Sequence, residues 1–209
     1  MASKTNFYVD AFNLYYGCLK NTSDRWLDLD ALFRAVFPKN QINRIRYFTA
    51  IVESRPSDLH RPAHQRTYLR ALQTIPNVSI HYGQYKTRAV RLPLAKPPAS
   101  GPQTAHVLRT EEKGTDVNLA SHLLLDAFRE DCETAIVVSN DADLKTPIEI
   151  TKTELGISVG VLNPHPLKRR SFDLQPTFFK QLRRGPIAAS QFPRVLNDAR
   201  GKIRKPPSW

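Results

Sequence analysis

Short apolar runs alternate along this chain with segments of helical periodicity, and this alternation constrains the fold more than any other feature. Five runs rich in β-branched or aromatic residues are predicted as strands: NFYVDAF, INRIRYFTAIV, VSIHYGQY, TAIVVS and ISVGVL. Four helices are predicted between or after them, at residues 27–37, 60–73, 116–130 and 147–155. Strands and helices that alternate in this way form a parallel sheet covered by helices on both faces. The sequence therefore predicts an α/β fold.

The length of 209 residues suits one such domain with an extension. The domain is predicted at residues 1–162, and a basic extension at residues 163–209 is expected to wrap around it with Trp209 as an anchor. Residues 86–113 interrupt the alternation because they are proline-rich, basic and without a sustained period. A connection of that length is typical of a functional or flexible loop, so a basic, proline-rich loop is predicted there.

The charge balance predicts a polyanionic partner. Lys and Arg number 31 against 19 Asp and Glu, which leaves a net charge of +12. Such a surface attracts nucleic acid first and an anionic membrane second, with general solubility as the alternative explanation. The residues expected to contact RNA lie in the loop and the extension: Arg88, Arg91, Lys113, Arg169 and Arg170.

Cysteine usage and hydropathy indicate a cytoplasmic protein. Cys18 and Cys132 are far apart, and no cluster of Cys and His has the spacing of a zinc site, so two reduced thiols are expected. No apolar run approaches the roughly 20 residues that a membrane span requires. A soluble protein of a reducing, cytoplasmic compartment without a membrane partner is therefore predicted.

Acidic and amide side chains follow the predicted strands. Asp10 and Asn13 come after the first strand, Asp141 and Asp143 after the run TAIVVS, and Asp116 at the start of a Leu-rich helix. Taken singly, each of them has an alternative role as a helix-start or turn residue. In open parallel sheets, however, ligands bind outside the carboxyl ends of the strands, so these side chains are expected to meet in one pocket.

Four carboxylates at one sheet edge would repel each other and raise each other's pKa values. A hard divalent cation removes that conflict, because Mg²⁺ takes oxygen ligands and is held by one or two carboxylates together with substrate phosphate. An acidic pocket in a basic chain thus suggests metal-assisted phosphodiester chemistry, in which the metal activates water. Asn13 would orient a metal-bound water or a phosphate oxygen. Glu112 is a weaker candidate, for which a solvated position is the favoured explanation.

Three motifs, YVDAFNLYYG, EEKGTDVNLASHLLLDA and VVSNDADLKTPIE, occur in an order and at a spacing that resemble those of NYN domains. These domains belong to the PIN-like nuclease superfamily, and the resemblance is to its bacterial LabA-like branch in particular. It covers roughly residues 6–162. It implies a three-layer α/β/α, Rossmann-like domain whose central, mostly parallel sheet has the strand order 3-2-1-4-5.

The resemblance also implies a site and an activity. The family's catalytic positions fall on Asp10, Asn13, Asp116, Asp141 and Asp143. The metal-binding set among them is Asp10, Asp116 and Asp141, with Asp143 acting directly or through water, and the metal is Mg²⁺ or Mn²⁺. The implied activity is cleavage of single-stranded RNA, usually endonucleolytic.

The alternative from another class is a non-catalytic RNA-binding or regulatory module. A homodimer is compatible with the superfamily, although no heptad pattern requires one. Trp209, Tyr15 and Tyr16 either pack against the domain or stack on bases, as aromatic residues do in proteins that bind single strands.

Overall fold

The computed structural model describes residues 2–54, 59–207 and 209, without the side chain of Lys168. Its strands are β1 (Ser3–Asp10), β2 (Asn40–Thr49), β3 (Val78–Tyr82), β4 (Gln84–Pro93), β5 (Thr104–Lys113), β6 (Thr134–Val138), β7 (Ser158–Asn163), β8 (Phe178–Gln181), β9 (Val195–Asp198) and β10 (Gly201–Arg204). Its α-helices are α1 (Ala11–Leu14), α2 (Leu29–Val36), α3 (Arg61–Leu72), α4 (Thr115–Phe128), α5 (Lys145–Thr153) and α6 (Arg184–Ala189). Within the described residues, none of these helices combines the length and the apolar character that a bilayer span requires.

Six strands form the central sheet, and every neighbouring pair in it is parallel. Their order is β3-β2-β1-β6-β7-β8. Numbered along the chain among themselves, the six strands have the order 3-2-1-4-5-6. The predicted α/β class is confirmed, and the order implied by the resemblance is extended by β8 beyond β7. Because β8 lies within residues 163–209, part of the predicted extension is built into the sheet.

Alternation along β1 explains the three layers. Phe7 and Val9 are buried on one face of the sheet in the core that includes α2 and α3. Tyr8 is buried on the other face in the core that includes α4 and α5. Successive strand residues point to opposite faces, so a strand with apolar residues at consecutive positions must be covered on both sides. The central position of β1 follows from this pattern.

The segment 86–113, predicted as a loop, instead forms most of an antiparallel hairpin of β4 and β5. The strands pair from Gln84 with Lys113 to Pro93 with Thr104, and only residues 94–103 connect them. The sequence lacks a simple alternation here because the hairpin lies outside the core and most of its side chains are exposed on both faces. The two strands satisfy their backbone hydrogen bonds by pairing with each other. They bury no apolar face, so the sequence carries no hydrophobic pattern that would indicate strands.

After β8, the chain packs along the outside of α2 and α3. Ile187 of α6 and Ile203 of β10 are buried in the same core as α2 and α3. Trp209 lies against Trp26 and Tyr68, with ring centroids 6.3 and 5.7 Å apart. These are the packing contacts expected of an anchoring residue.

A buried ion pair attaches α4 to the sheet. The guanidinium of Arg46 on β2 donates two hydrogen bonds to the carboxylate of Asp126, with N···O distances of 2.6 and 2.7 Å. The hydroxyl of Tyr8 donates to the same carboxylate at 2.9 Å. Only 3% of the Asp126 side chain is exposed. Because Asp116 lies at the start of the same helix, this pair also helps to fix the position of a predicted site residue.

Replacing Asp126 with Ala is expected to lower the free energy of unfolding by about 3–5 kcal/mol, because the charge of Arg46 would be left in the interior without its partner. The control is Arg34→Ala, which removes an exposed ion pair with Asp30 and should cost less than about 1 kcal/mol. Urea denaturation followed by circular dichroism measures both. Equal losses would show that Arg46 is adequately solvated without Asp126.

Candidate active site

A cavity of about 380 Å³ lies at the edge of the sheet where β1 and β6 end. Its wall combines residues that follow β1, residues at the base of the hairpin, the first turn of α4, and residues that follow β6 and β7. The lining residues are Asp10, Phe12, Asn13, Tyr16, Tyr85, Glu112, Thr115, Asp116, Asp141 and His165. Four of the five predicted catalytic residues therefore line one cavity; the fifth, Asp143, is not among the lining residues.

Asp10 is the buried acid of this cavity, with 6% of its surface exposed. Its Oδ1 accepts a hydrogen bond from the backbone N–H of Asn13 at 2.9 Å, which caps α1, and its Oδ2 accepts from the hydroxyl of Ser139 at 3.0 Å. Burial raises the pKa of Asp10, while these two hydrogen bonds oppose the shift and the charge of Asp141 adds to it. The carboxylate thus links the ends of β1 and β6.

Asn13 connects the same two loops through its amide. Its Oδ1 accepts from the backbone N–H of Asn140 at 2.9 Å. The Asn140 side chain in turn donates to the carbonyl of Arg169 at 2.7 Å and accepts from the N–H of Ser171 at 2.8 Å. The Nδ2 of Asn13 is a donor that suits a phosphate oxygen, and its Oδ1 has a second lone pair that can accept from water.

Asp116 lies in the first turn of α4. The side chain of Glu112 caps the N-terminus of this helix. The two carboxylate oxygens of Glu112 accept hydrogen bonds from the N–H and the hydroxyl of Thr115 at 3.1 and 2.6 Å. Gly114 joins β5 to the helix with φ at +96°, a value that favours glycine. A side chain at Gly83 would come within 2.7 Å of the Lys113 carbonyl, so glycine lets the two hairpin ends meet. Glu112, for which the sequence favoured a solvated position, lines the cavity.

The electrostatics of Asp116 report the crowding of carboxylates. Its pKa is raised to about 6, first by burial and then by the charges of other acids. In decreasing order of effect, these acids are Asp10, Asp141, Glu112 and Asp143. The repulsion expected from the sequence is therefore present, and it makes the site favourable for a cation.

Asp141 and Asp143 differ in their positions. Asp141 lines the cavity, and its N–H donates to the hydroxyl of Ser139 at 3.1 Å. Its Oδ1 accepts from the N–H of Asp143 at 3.0 Å and so begins a short 3₁₀ turn at Ala142–Leu144. Asp143 is exposed within this turn. The paired aspartates of the motif thus provide one cavity-lining carboxylate and one peripheral carboxylate.

The predicted RNA contacts in the hairpin lie on two different faces. Tyr85 and Glu112 pair across the strands and both line the cavity; strand alternation places Arg91 on their face. Arg88 and Lys113 lie on the opposite face, where their nitrogens are 3.5 and 3.4 Å from the carboxylate of Glu111. Arg91 thus shares a face with Tyr85 and Glu112 but lies six residues farther along β4, towards the tip of the hairpin.

Arg169 and Arg170 follow β7 beside the same edge. Arg169 is exposed, and its backbone is held by Asn140. Arg170 stacks on Phe179, with its guanidinium carbon 3.7 Å from the ring centroid, and its Nε is buried with no hydrogen-bond partner among the described residues. Arg169 is therefore better placed for a solvent-borne ligand than Arg170.

The donor set fits a hydrated hard cation. Within the described residues, no three His, Cys, Asp or Glu side chains form a compact group that could hold a metal ion. The oxygens of Asp10, Asp116 and Asp141 nevertheless line one cavity, and the pKa of Asp116 shows that their charges interact. Mg²⁺ retains several waters and needs only one or two protein carboxylates, so this arrangement fits such an ion better than a closed cage of direct ligands.

The parallel sheet with an acidic cavity at its carboxyl edge agrees with the PIN-like class that the three motifs resemble. Residues 4–178 match the NYN domain family, and the chain therefore belongs to that family. The family predicted from the three motifs is thus confirmed. Membership associates the protein with nuclease-like, RNA-related function.

Known proteins that are similar to this chain include a curated relative and a solved structure. The 6-hydroxy-3-succinoylpyridine 3-monooxygenase HspA of Pseudomonas putida (strain DSM 28022 / S16) is 29% identical over 235 residues, which cover 99% of this chain and 75% of that protein. A crystal structure of a protein of unknown function from Vibrio parahaemolyticus RIMD 2210633 matches with a TM-score of 0.57 at 16% identity, covering 88% of this chain and 94% of that one. The second similarity supports the fold.

Several lining residues were not predicted. His165 comes two residues after β7, so the rule that collects polar residues after strands could have found it. The positions of Tyr85 and Thr115 in the site depend on where the hairpin begins and ends. The sequence of this segment has no periodicity from which those ends could be predicted. Asn140 does not line the cavity but is hydrogen-bonded to Asn13 and Arg169. It carried a signal because it lies directly before Asp141 in the motif, but a turn role explained it equally well.

The raised pKa of Asp116 predicts a pH dependence of stability. Between pH of about 4 and about 6, the folded state keeps a proton that the unfolded chain has released, so stability falls as pH rises through this range. Asp116→Asn should match the wild type at the low end and become relatively more stable towards the high end. Thermal midpoints of both proteins in EDTA test this. A difference that is constant across the range would contradict the assignment.

Proposed function

We propose that this protein is a divalent-metal-dependent ribonuclease that cleaves phosphodiester bonds of single-stranded RNA. The observation that carries the proposal is the cavity in which Asp10, Asp116 and Asp141 lie together, in a chain of net charge +12. Carboxylates in a basic chain suit a site where a cation and a polyanion meet. Membership of the NYN family supports the same activity.

Asp10, Asp116 and Asp141 would hold Mg²⁺ or Mn²⁺, and Asp143 would act from the periphery. When bound there, the ion supplies Lewis-acid activation of water and stabilises negative charge on the phosphate. The hydrogen bonds from Asn13 and Ser139 keep the carboxylate of Asp10 in place before substrate arrives. This preorganisation is worth most in a site where the acid is buried.

The remaining groups of the cavity suit the substrate. The Nδ2 of Asn13 is a donor for a phosphate oxygen. Arg91, which shares a hairpin face with Tyr85 and Glu112, and the exposed Arg169 would supply positive charge to the RNA backbone beyond the cavity. Because cations contact the phosphate backbone without reading bases, they favour RNA binding with little sequence preference.

Replacing Asp141 with Asn is expected to lower RNA cleavage by roughly a hundredfold or more, because a carboxylate that would hold the ion becomes neutral at constant size. The matched control is Glu154→Gln, which makes the same chemical change at the distant end of α5 and should leave cleavage unchanged. Labelled single-stranded RNA is incubated with each protein in Mg²⁺, Mn²⁺ or EDTA. Thermal unfolding confirms that both variants fold.

Cleavage by the wild type that persists in EDTA, or that survives Asp141→Asn, would contradict the proposed chemistry. RNA that binds in all conditions but is never cut would favour the non-catalytic RNA-binding module. Both results are read from the same gels.

The face on which each hairpin cation lies predicts different effects on binding. Arg91→Ala should weaken the binding of single-stranded RNA and reduce the slope of log affinity against log salt by about 0.7, the value for one phosphate contact. Arg88→Ala is the matched control, because Arg88 is paired with Glu111 on the opposite face. Fluorescence anisotropy at several salt concentrations, in the Asp141→Asn background, measures both. A larger effect of Arg88→Ala would place the RNA on the other face.

A second candidate function comes from the relative named as a 6-hydroxy-3-succinoylpyridine monooxygenase. The observation in its favour is an aromatic cavity beside the acidic site, lined by Arg25 and Arg61, which suits a planar heteroaromatic acid. Incubation with that compound, oxygen and a reduced nicotinamide nucleotide, followed by chromatography of the product, tests this function directly. A hydroxylated product without RNA cleavage would replace the first proposal.

A further inference from the structure

A second cavity, of about 80 Å³, lies next to the acidic one. Aromatic side chains dominate its wall, and the volume is several times the space that one water needs. The aromatic residues that line it are Phe12, Tyr15, Tyr47, His64, Tyr68 and Trp209. We call it the aromatic pocket.

The two cavities share a wall. Phe12 lines both of them, and Tyr15 of the aromatic pocket contacts Tyr16 of the acidic cavity edge to face at 5.2 Å. Arg61 of the aromatic pocket donates a hydrogen bond to the hydroxyl of Tyr16 at 3.2 Å. If an RNA strand places one phosphate in the acidic cavity, a neighbouring group of the same strand can therefore enter the aromatic pocket.

The polar groups of the aromatic pocket are mostly committed to the fold. Gln65 donates to Thr49 and to the carbonyl of Ala50, and it accepts from the N–H of Val52. Tyr68 donates to the carbonyl of Leu27 at 2.9 Å.

The hydroxyl of Tyr47, a residue that lines the pocket and is 7% exposed, is a further donor and acceptor at this wall.

The charges indicate what the ligand carries. Arg61 and Arg25 both line the pocket, and the guanidinium of Arg25 lies 5.5 Å from the ring centroid of Trp209. A ligand with a flat apolar face and an attached negative charge is complementary to this combination. A nucleobase on a phosphodiester backbone has both properties, and aromatic side chains bind bases of any identity through their faces.

We infer that the aromatic pocket binds one unpaired nucleobase of the RNA strand whose phosphate lies in the acidic cavity. The inference rests on the proposed RNA substrate and adds a physical reason for single-strand selectivity. A base can enter such a pocket only after it has left its neighbours in the stack, and a duplex resists this. The hydroxyl of Tyr47 then meets an edge of the base and introduces a base preference at that position.

The test uses single-stranded RNAs that each lack one base at a different position but keep the full phosphate backbone. Their affinities for the Asp141→Asn protein are measured by fluorescence anisotropy, and wild-type cleavage of the complete RNA locates the scissile bond. One position near that bond should lose about tenfold or more in affinity, while the other positions change by less than about twofold. A uniform small effect at all positions would overturn the inference.

Two variants assign the effect to the pocket. Trp209→Ala removes one wall and should abolish the penalty at that position. Because Trp209 also packs against the fold, Tyr47→Phe provides a second test that keeps the ring; it should leave the thermal midpoint unchanged or raised and reduce the base preference at that position. A penalty that persists unchanged in both variants would place the base elsewhere and contradict the inference.

The same experiment separates this inference from the proposed activity. If RNA is cut but shows no position-dependent loss of affinity, the base-binding pocket is contradicted and the ribonuclease activity is supported. If affinity depends on the position of the missing base but RNA is not cut, the base-binding pocket is supported and the ribonuclease activity is contradicted. Displacement of RNA by 6-hydroxy-3-succinoylpyridine, with no position-dependent penalty, would assign the pocket to a small heteroaromatic acid and overturn the inference.

Discussion

The carboxylate of Asp10 is buried where the central strand ends, and a buried negative charge is costly unless it is hydrogen-bonded or paired with a cation. Asn13 and Ser139 donate to its two oxygens. These bonds tie the turn after β1 to the turn after β6, and Asn140 continues the connection to Arg169 and Ser171 after β7. Three neighbouring strand ends are thus held in register by one network, and the acidic cavity depends on it.

The same network holds several carboxylates close together, and the fold provides no cation, among the described residues that line the cavity, that would neutralise their repulsion. Burial, and then the charges of Asp10 and Asp141, raise the pKa of Asp116 to about 6, so the folded protein disfavours the charged form of this carboxylate. Near the other end of the helix, the bidentate pair of Arg46 and Asp126 secures α4 to the sheet and so helps to hold Asp116 at the cavity. Stability elsewhere therefore offsets a strained arrangement at the site, as is common where a ligand must bind.

Elements that bury an apolar face were predicted from the sequence, whereas the exposed hairpin was not. Most of the five strands and four helices were predicted because they bury an apolar face, and burial leaves a pattern in the sequence. The edge strand β3 has no fully buried residue and was predicted from its β-branched and aromatic residues. Asp10, Asn13 and Asp141 were found because a parallel sheet brings the ends of its strands to one edge. The hairpin of β4 and β5 was missed because it has almost no buried face. Glu112 and Tyr85 were not assigned to the site with it, since their positions depend on how the hairpin folds back onto α4.

The sequence by itself determined the α/β class, the family and the identities of the acidic residues, because these follow from local periodicity and from motifs contiguous along the chain. Only the tertiary structure decided which carboxylates line the cavity, that Asp143 lies at its periphery, and that Arg91 and Arg88 lie on opposite faces of a hairpin. It also brought Tyr47 and Trp209, from distant parts of the chain, into one pocket that shares a wall with the acidic cavity. The physical reason is that charge interactions and burial depend on distance in space, whereas a single sequence records distance along the chain.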